Sequence, residues 1–142
     1  MCWICSTDKF KLQRAEEDIV VYKVLKLCKD KLHSPNFDCF TWIEGETYGS
    51  PIDIRTFKSG EHYYLEGLQG IHSYQQEPIY DVYTESFVGR TFYSPKRSMP
   101  ASYPQLEGMC VAKCIIPKGA IYAVNDYGEV ISEKLKLIKV VK

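Results

Sequence analysis

The last nine residues constrain the fold most, because lysine and aliphatic side chains alternate along them before the pattern shifts phase near the end. They read KLKLIKVVK and occupy positions 134–142. A period of two is typical of a β-strand with one buried face, whereas a helix spaces its apolar residues by three and four. The β-rich runs before them are separated by turn residues at 117–119 and 125–128, which favours antiparallel neighbours. The stretch 109–142 therefore predicts an antiparallel meander with one apolar face.

Further strands are predicted in the first half of the chain. Residues 19–27 are dense in β-branched side chains, and their nearly continuous apolar start favours a central position in a sheet. Residues 39–43 form a second predicted strand, and residues 52–57 form either a short edge strand or an extended loop. Residues 29–36 are charged and contain a Ser-Pro pair, which indicates a loop.

One amphipathic helix of about ten residues is predicted after residue 77. Pro78 is well suited to the first helical position, where its missing N–H has no cost. Ile79, Tyr83 and Phe87 follow at helical spacing. A single helical turn is also predicted within residues 12–17.

The predicted fold class is α+β, mostly β, with an antiparallel sheet or meander and one or two short helices. The chain has 142 residues, of which 45% are hydrophobic and 25% charged. This length is enough for one domain with a real core, and the composition is ordinary for a globular protein. A single domain over residues 1–142 is the expectation.

The charge balance and the hydropathy pattern exclude several classes of partner. The formal net charge is zero, so the basic excess of a general DNA- or RNA-binding protein is missing. No apolar run approaches the roughly 18 residues that span a bilayer, and the N-terminus lacks the pattern of a secretory signal. The sequence therefore predicts a cytoplasmic protein with reduced cysteines, without nucleic-acid or membrane partners.

Metal and catalytic sites find little support in the residue pattern. Cys110 and Cys114 lie four residues apart on a predicted strand, or about 13 Å, so one tetrahedral zinc does not collect both together with Cys2 and Cys5. Buried thiols are the simpler role. No G-x-G-x-x-G, Walker or H-E-x-x-H motif occurs. We expect no metal, no cofactor and no catalytic residue.

A pocket for phosphate and base is the chemistry that the remaining side chains suggest. Three of the four arginines lie in the irregular middle of the chain beside aromatic residues. Arginine makes forked contacts with phosphate, and aromatic rings stack on bases. Lys118 and Tyr122 lie beside the 117–119 turn, within reach of such a pocket. The candidate ligand-binding residues are Arg55, Phe57, Tyr64, His72, Tyr74, Arg90, Tyr93, Arg97 and Lys118. The alternative is that the arginines are ordinary surface residues and that His72 is a hydrogen-bonded core histidine.

Three segments together resemble a group of small proteins carried by bacteriophages and gut bacteria. They are MCWIC at 1–5 with DIVVYKV at 18–24, GIHSY at 70–74, and KCIIPKG at 113–119. The characterised relatives are the phage anti-Thoeris sponge proteins. This resemblance implies a non-enzymatic viral protein that sequesters a cyclic ADP-ribose isomer or a cyclic oligonucleotide. It also implies a homodimer or higher homo-oligomer with pockets near subunit contacts, in which arginines hold phosphates and aromatics hold adenine.

Two other functions compete with this interpretation. The Ile-Pro-Lys-Gly and Gly-Ile-His-Ser segments also resemble parts of the ADP-ribosyltransferase fold, which implies a catalytic glutamate on a late strand. Glu129 and Glu133 are the residues at the matching place, and the usual Glu-x-Glu or Gln-x-Glu pair is absent from this region of the chain, so that resemblance implies a degenerate member. The third possibility is a protein-interaction module that uses the tyrosine-rich surface.

Overall fold

The structure is a computed structural model that describes residues 3–8, 10–34, 37–81, 86–88, 98–99 and 109–141. Every regular element within these residues is a β-strand. The strands are β1 Trp3–Ser6, β2 Gln13–Arg14, β3 Ile19–Cys28, β4 Lys31–Ser34, β5 Phe37–Trp42, β6 Thr47–Gly49, β7 Asp53–Ser59, β8 His62–Gln69, β9 Ile71–Tyr74, β10 Ile79–Asp81, β11 Ser86–Val88, β12 Ser98–Met99, β13 Met109–Ile116, β14 Ile121–Val124, β15 Glu129–Ser132 and β16 Lys134–Val140. The described part of the chain holds no helix of the length and apolar character that crossing a membrane requires.

A large antiparallel sheet forms the body of the molecule. Its main order is β2-β14-β15-β9-β3-β13-β16-β6, and β4 pairs with both β3 and β5. The predicted central position of the strand at residues 19–27 is confirmed, because β3 lies between β9 and β13. Two three-stranded sheets, β1-β8-β7 and β11-β10-β12, complete the architecture.

The predicted helix is wrong, and with it the α+β class, since the described chain is all-β. Ile79–Asp81 is strand β10, which pairs with β11 so that Ile79 faces Val88. The helix prediction rested on apolar residues at every fourth position, and a spacing of four also places side chains on one face of a strand. Residues 13–14, inside the second predicted helical turn, form β2. Tyr83 lies outside the described residues.

The predicted meander is only partly correct. β14 and β15 form the expected hairpin through the turn at 125–128, with Tyr122 opposite Ser132. β13 instead pairs with β3 and β16, which places β13 and β16 on the other side of β3 from β14 and β15. The 117–119 turn does not close a hairpin because it bonds to the segment after β2, where Gly119 N–H donates to the Ala15 carbonyl at 2.8 Å.

A tight turn replaces the start of the loop predicted at residues 29–36. Lys29 and Asp30 both have positive φ, at 52° and 63°, and they connect β3 to its antiparallel neighbour β4. Two such residues are the signature of a type I′ hairpin, whose twist matches that of the strands. The charged sequence hid this hairpin because neither position carries the usual glycine.

The large sheet buries side chains on both faces. One face carries the larger apolar cluster, which includes Val21, Leu25 and Ile116. The other face carries Trp3, Cys5, Ala123 and Ile131, with Trp3 and Cys5 supplied by the small sheet β1-β8-β7. We name these the first face and the second face. Trp3 also donates its indole N–H to the Glu129 carbonyl at 3.0 Å, which fixes β1 to the large sheet.

Candidate functional site

The predicted ligand-binding residues that the structure describes do not come together in one place. Arg90, Tyr93 and Arg97 lie outside the described residues. The other six lie in three separate places: Arg55, Phe57 and Tyr64 on the β7–β8 hairpin, His72 and Tyr74 on β9, and Lys118 in the turn after β13.

The hairpin group contains an aromatic pair in which Phe57 is exposed and Tyr64 is half-buried. Phe57 and Tyr64 face each other across β7 and β8, and their rings stack with centroids 5.9 Å apart. Arg55 is exposed and forms an ion pair with Asp53 at 3.3 Å, two residues away on the same strand. The guanidinium therefore has a carboxylate partner already, and an exposed pair of this kind is weak.

The β9 residues are uncharged at neutral pH. Burial and the nearby charge of Lys23 lower the pKa of His72 to about 4, so its imidazole is neutral. Burial and the charge of Glu129 raise the pKa of Tyr74, so its phenol keeps its proton. His72 faces Ile131 across β9 and β15, which places its side chain on the second face, inside the protein. Neither residue offers a phosphate a positive charge.

Lys118 lies in a turn that follows a residue lining a cavity. Its side chain is exposed, and its backbone N–H donates to the Asp18 carboxylate at 2.9 Å. Arg14 fixes the same turn from the other side by donating to the Gly119 carbonyl at 2.8 Å. Ile116, two residues before Lys118, lines the cavity.

This cavity opens on the first face of the large sheet and has a volume of about 270 Å³. Its walls are mostly branched aliphatic side chains, and its polar groups are two glutamine amides and one phenol. The lining residues are Gln13, Ile19, Val21, Gln75, Ile116, Tyr122, Val124 and Val130. The Tyr122 hydroxyl donates to the Gln13 side-chain oxygen at 3.5 Å, a long contact that a ligand is able to replace. All of these described lining side chains are uncharged.

Strand register places the lining residues together. Gln13 faces Tyr122 across β2 and β14, Val124 faces Val130 across β14 and β15, and Ile19 faces Ile116 across β3 and β13. Partners directly opposite each other share a face of the sheet. Tyr122 was placed near a pocket by the sequence, whereas the two glutamines were not. β14 reads IYAV, a continuous apolar run without alternation, and a glutamine carries no sequence signal that separates a cavity wall from an exposed surface.

Two hydroxyls on the first face lack partners. Ser73 faces Val130, and Ser132 faces Tyr122, so both share the face of the cavity wall. Their side chains are 1% and 0% exposed, and within the described structure neither oxygen has a hydrogen-bond partner. Buried polar atoms are rarely left in this state, so each such hydroxyl requires a physical explanation.

Lys23 places a cation on the first face, in a row with Val21 and Leu25. Its ammonium donates to the His72 carbonyl at 2.7 Å and lies 5.3 Å from the centre of the Trp42 ring. Burial lowers the pKa of Lys23 to about 8, an effect that the Cys114 thiol partly opposes. Burial raises the pKa of Cys114 to about 12, so this thiol is protonated and a poor nucleophile.

Lys23→Met is expected to stabilise the protein at pH 7 and to remove a rise in stability at alkaline pH. The pKa of Lys23 is 10.5 in the unfolded chain and about 8 in the fold. The stability that the fold gains when Lys23 is neutral is therefore fully present above pH 10.5 and is lost as the pH falls through 8. We expect the free energy of unfolding of Lys23→Met to exceed that of the wild type by about 2 kcal/mol at neutral pH. This is less than the full pKa shift corresponds to, because Lys23 is partly exposed and the variant loses its polar contacts. Urea unfolding at pH 7 and pH 10 measures it, with the exposed Lys136→Met as control. Equal pH dependence in wild type and Lys23→Met would contradict the prediction.

The two late acidic residues hold turns in place. Asn125 donates its side-chain N–H to the Glu129 carboxylate at 2.8 Å, and burial raises the pKa of Glu129. The Glu133 carboxylate accepts the backbone N–H of Ile121 at 2.9 Å. Both glutamates at the place of the transferase residue therefore have structural partners.

Metal ligands do not gather among the described residues, which contain no group of three or more His, Cys, Asp or Glu placed to hold an ion. Comparison of the chain with protein families, with curated proteins and with solved structures finds no match. The chemistry of the site therefore has to be argued from its own geometry.

Proposed function

We propose that the protein binds a small cyclic nucleotide-type signal at the first-face cavity, with part of the ligand inside it, and holds the ligand without cleaving it. The cavity carries this proposal, since it combines aliphatic walls with a few convergent polar groups, as ligand sites do. The signal is a cyclic ADP-ribose isomer or a cyclic oligonucleotide, as the resemblance to phage sponge proteins implies. The protein would act in the cytoplasm of an infected host, as a homodimer or higher homo-oligomer.

Sequestration requires only tight binding, because it removes a signal from its receptor by mass action. The reactive side chains on the described strands favour binding over cleavage. The Cys114 thiol is protonated at neutral pH and the His72 imidazole is neutral and turned to the second face. Glu129 and Glu133 are engaged in turns. A general base poised beside a nucleophile is the feature that cleavage needs.

Heat release of an intact ligand is the test of this proposal. The protein is incubated with a mixture of cyclic nucleotides, separated from free ligand and denatured, and the supernatant is analysed by mass spectrometry. We expect one cyclic nucleotide to be recovered at its unchanged mass. The same compound should raise the melting temperature by about 5–10 °C at a concentration of 100 Kd. Recovery of a linear product, or release of nicotinamide from NAD, would show an enzyme instead.

A cavity-filling substitution supplies the control. Val124→Phe places a ring in the cavity and should abolish retention of the ligand. Val140→Phe makes the same change at a residue that is 36% exposed and distant in sequence from the lining, and it should retain the ligand. Far-UV circular dichroism establishes that both variants are folded, since overpacking costs about 1–3 kcal/mol. Unchanged retention by folded Val124→Phe would place the ligand elsewhere.

The protein-interaction alternative is favoured by one observation. The β7–β8 hairpin exposes Phe57 on one side and Tyr63 on the other, with Tyr63 57% exposed. Lys58 lies 5.5 Å from the Tyr63 ring centre, so a cation accompanies this aromatic surface. If neither a cyclic nucleotide nor NAD changes the melting temperature, the protein-interaction alternative remains.

A further inference from the structure

The first-face cavity is too small and too uncharged for a whole nucleotide. Its volume of about 270 Å³ lies just below the range of about 300–1,000 Å³ that is usual for ligand pockets. The described side chains that line it carry no charge. A phosphate moved from water into such a lining would lose its hydration without gaining a cation, which is strongly unfavourable.

We propose that the cavity takes a neutral, planar, hydrogen-bonding ring, a nucleobase, and that the sugar and phosphates of the ligand remain outside. This inference rests on the proposed function only in using the same cavity. It names the part of the ligand that is recognised, which the proposed function leaves open.

Two glutamines give the lining the hydrogen-bonding pattern of a base edge. Each side-chain amide of Gln13 and Gln75 offers one acceptor oxygen beside an NH₂ donor, and the edges of nucleobases present the complementary pairs. The Tyr122 hydroxyl adds a group that both donates and accepts. Its contact with Gln13 is 3.5 Å long, so little is lost when a ligand replaces it.

The two unpartnered hydroxyls of Ser73 and Ser132 lie outside the lining of the cavity, although they share its face of the sheet. Both oxygens are buried beyond the reach of water in the cavity. The groups that a guest would meet are therefore the two amides and the phenol that line the cavity.

Charges of both signs surround the region next to the cavity. Arg14 follows the lining residue Gln13, and Lys118 lies two residues after the lining residue Ile116. Asp18 precedes the lining residue Ile19 and is exposed, as Arg14 and Lys118 are. Exposed pairs are weak and are screened by salt. Phosphates in this position would therefore contribute little to affinity.

Equilibrium dialysis with the four ribonucleosides, their 5′-monophosphates and pyrophosphate tests the inference on the full chain. We expect at least one nucleoside to bind with an affinity within about threefold of its monophosphate, and with little change between low and high salt. Gln75→Leu should weaken that nucleoside at least about tenfold, because it leaves a base edge unpaired. Gln76→Leu, at the neighbouring glutamine that is exposed like Gln75 but does not line the cavity, should bind like wild type.

Each remaining outcome decides between the inference and the proposed function. Displacement of a nucleoside by pyrophosphate, or loss of its binding at high salt, would overturn the inference. Failure of every nucleoside to bind would also overturn the inference. If a cyclic nucleotide is nevertheless recovered intact after heating, the proposed function alone is supported. Nucleoside binding that depends on Gln75, without retention of any cyclic nucleotide, would support the inference and overturn the proposed function. Tyr122→Phe is the milder second variant, and it should weaken binding if Gln75→Leu does not fold.

Discussion

Asn125→Ala is expected to lower the free energy of unfolding by about 3 kcal/mol, because several hydrogen bonds depend on this one amide. The side-chain nitrogen donates to the Ile4 carbonyl at 2.9 Å and to the Glu129 carboxylate at 2.8 Å. The side-chain oxygen accepts the backbone N–H groups of Tyr127 and Glu129, both at 2.9 Å. Asn125 is only 7% exposed, so water replaces these partners poorly. Alanine would leave the Glu129 carboxylate buried without its donor.

Urea unfolding at pH 7 measures this loss, with Asp126→Ala as the control at the exposed neighbouring position. Asn125→Asp separates the donors from the acceptors. It keeps an oxygen for the two backbone N–H groups but places a carboxylate against Glu129, whose pKa burial already raises. We expect it to destabilise at pH 7 and to recover in part as the pH falls and the pair takes up a proton. A loss below about 1 kcal/mol for Asn125→Ala would show that water takes over these contacts.

The strands with strong patterns were readable from the sequence, and the order of the strands was not. β3 and β16 follow from β-branched and alternating residues, which act locally. The position of β13 between β3 and β16 depends on contacts with distant segments, and a turn signal at 117–119 does not reveal that its bonds go to Ala15. The four-residue spacing of residues 79, 83 and 87 fits both the period of a helix and that of a strand. In the fold, residues 79–81 form a strand because they pair with β11.

The candidate site was also not predictable from the sequence, because its residues come from distant segments. Arg55 attracted the prediction because arginine binds phosphate, yet in the fold it is paired with Asp53 on an exposed strand. Gln13 and Gln75 are far apart in sequence and are of a residue type common on surfaces, and only the fold brings them to one cavity. Charged residues in a sequence suggest a functional site, whereas a neutral binding site built from amides and aliphatic side chains cannot be recognised from the sequence.

Gly70→Ala is expected to be the most damaging single-methyl change in the protein, with a loss of about 4 kcal/mol from two separate causes. Gly70 has a φ of +135°, which side chains rarely adopt. A Cβ there would also lie 2.6 Å from Cγ1 and 2.8 Å from Cδ1 of Ile131. Ile131 is fully buried on the second face and has little room to move.

Gly67→Ala isolates the packing cause. Its Cβ would lie 2.6 Å from Cδ1 of Ile131 and 3.4 Å from Trp3, and its φ is outside the strained region. We expect a loss of about 2 kcal/mol from overpacking alone. Ile131→Val removes Cδ1, so it should relieve most of the Gly67→Ala loss.

A double-mutant cycle separates the contact with Cδ1 of Ile131 from the other causes of destabilisation at these two glycines. In the Ile131→Val background, Gly70→Ala should still lose about 2 kcal/mol or more, because valine keeps Cγ1 and leaves the φ of +135° unchanged. Chemical denaturation of wild type, the three single variants and the two double variants gives the coupling energies. Equal rescue at both positions would mean that packing against Ile131 alone requires glycine. Rescue at Gly67 only would mean that the contact with Cγ1 and the positive φ together require glycine in the turn between β8 and β9, which leads the chain into the large sheet.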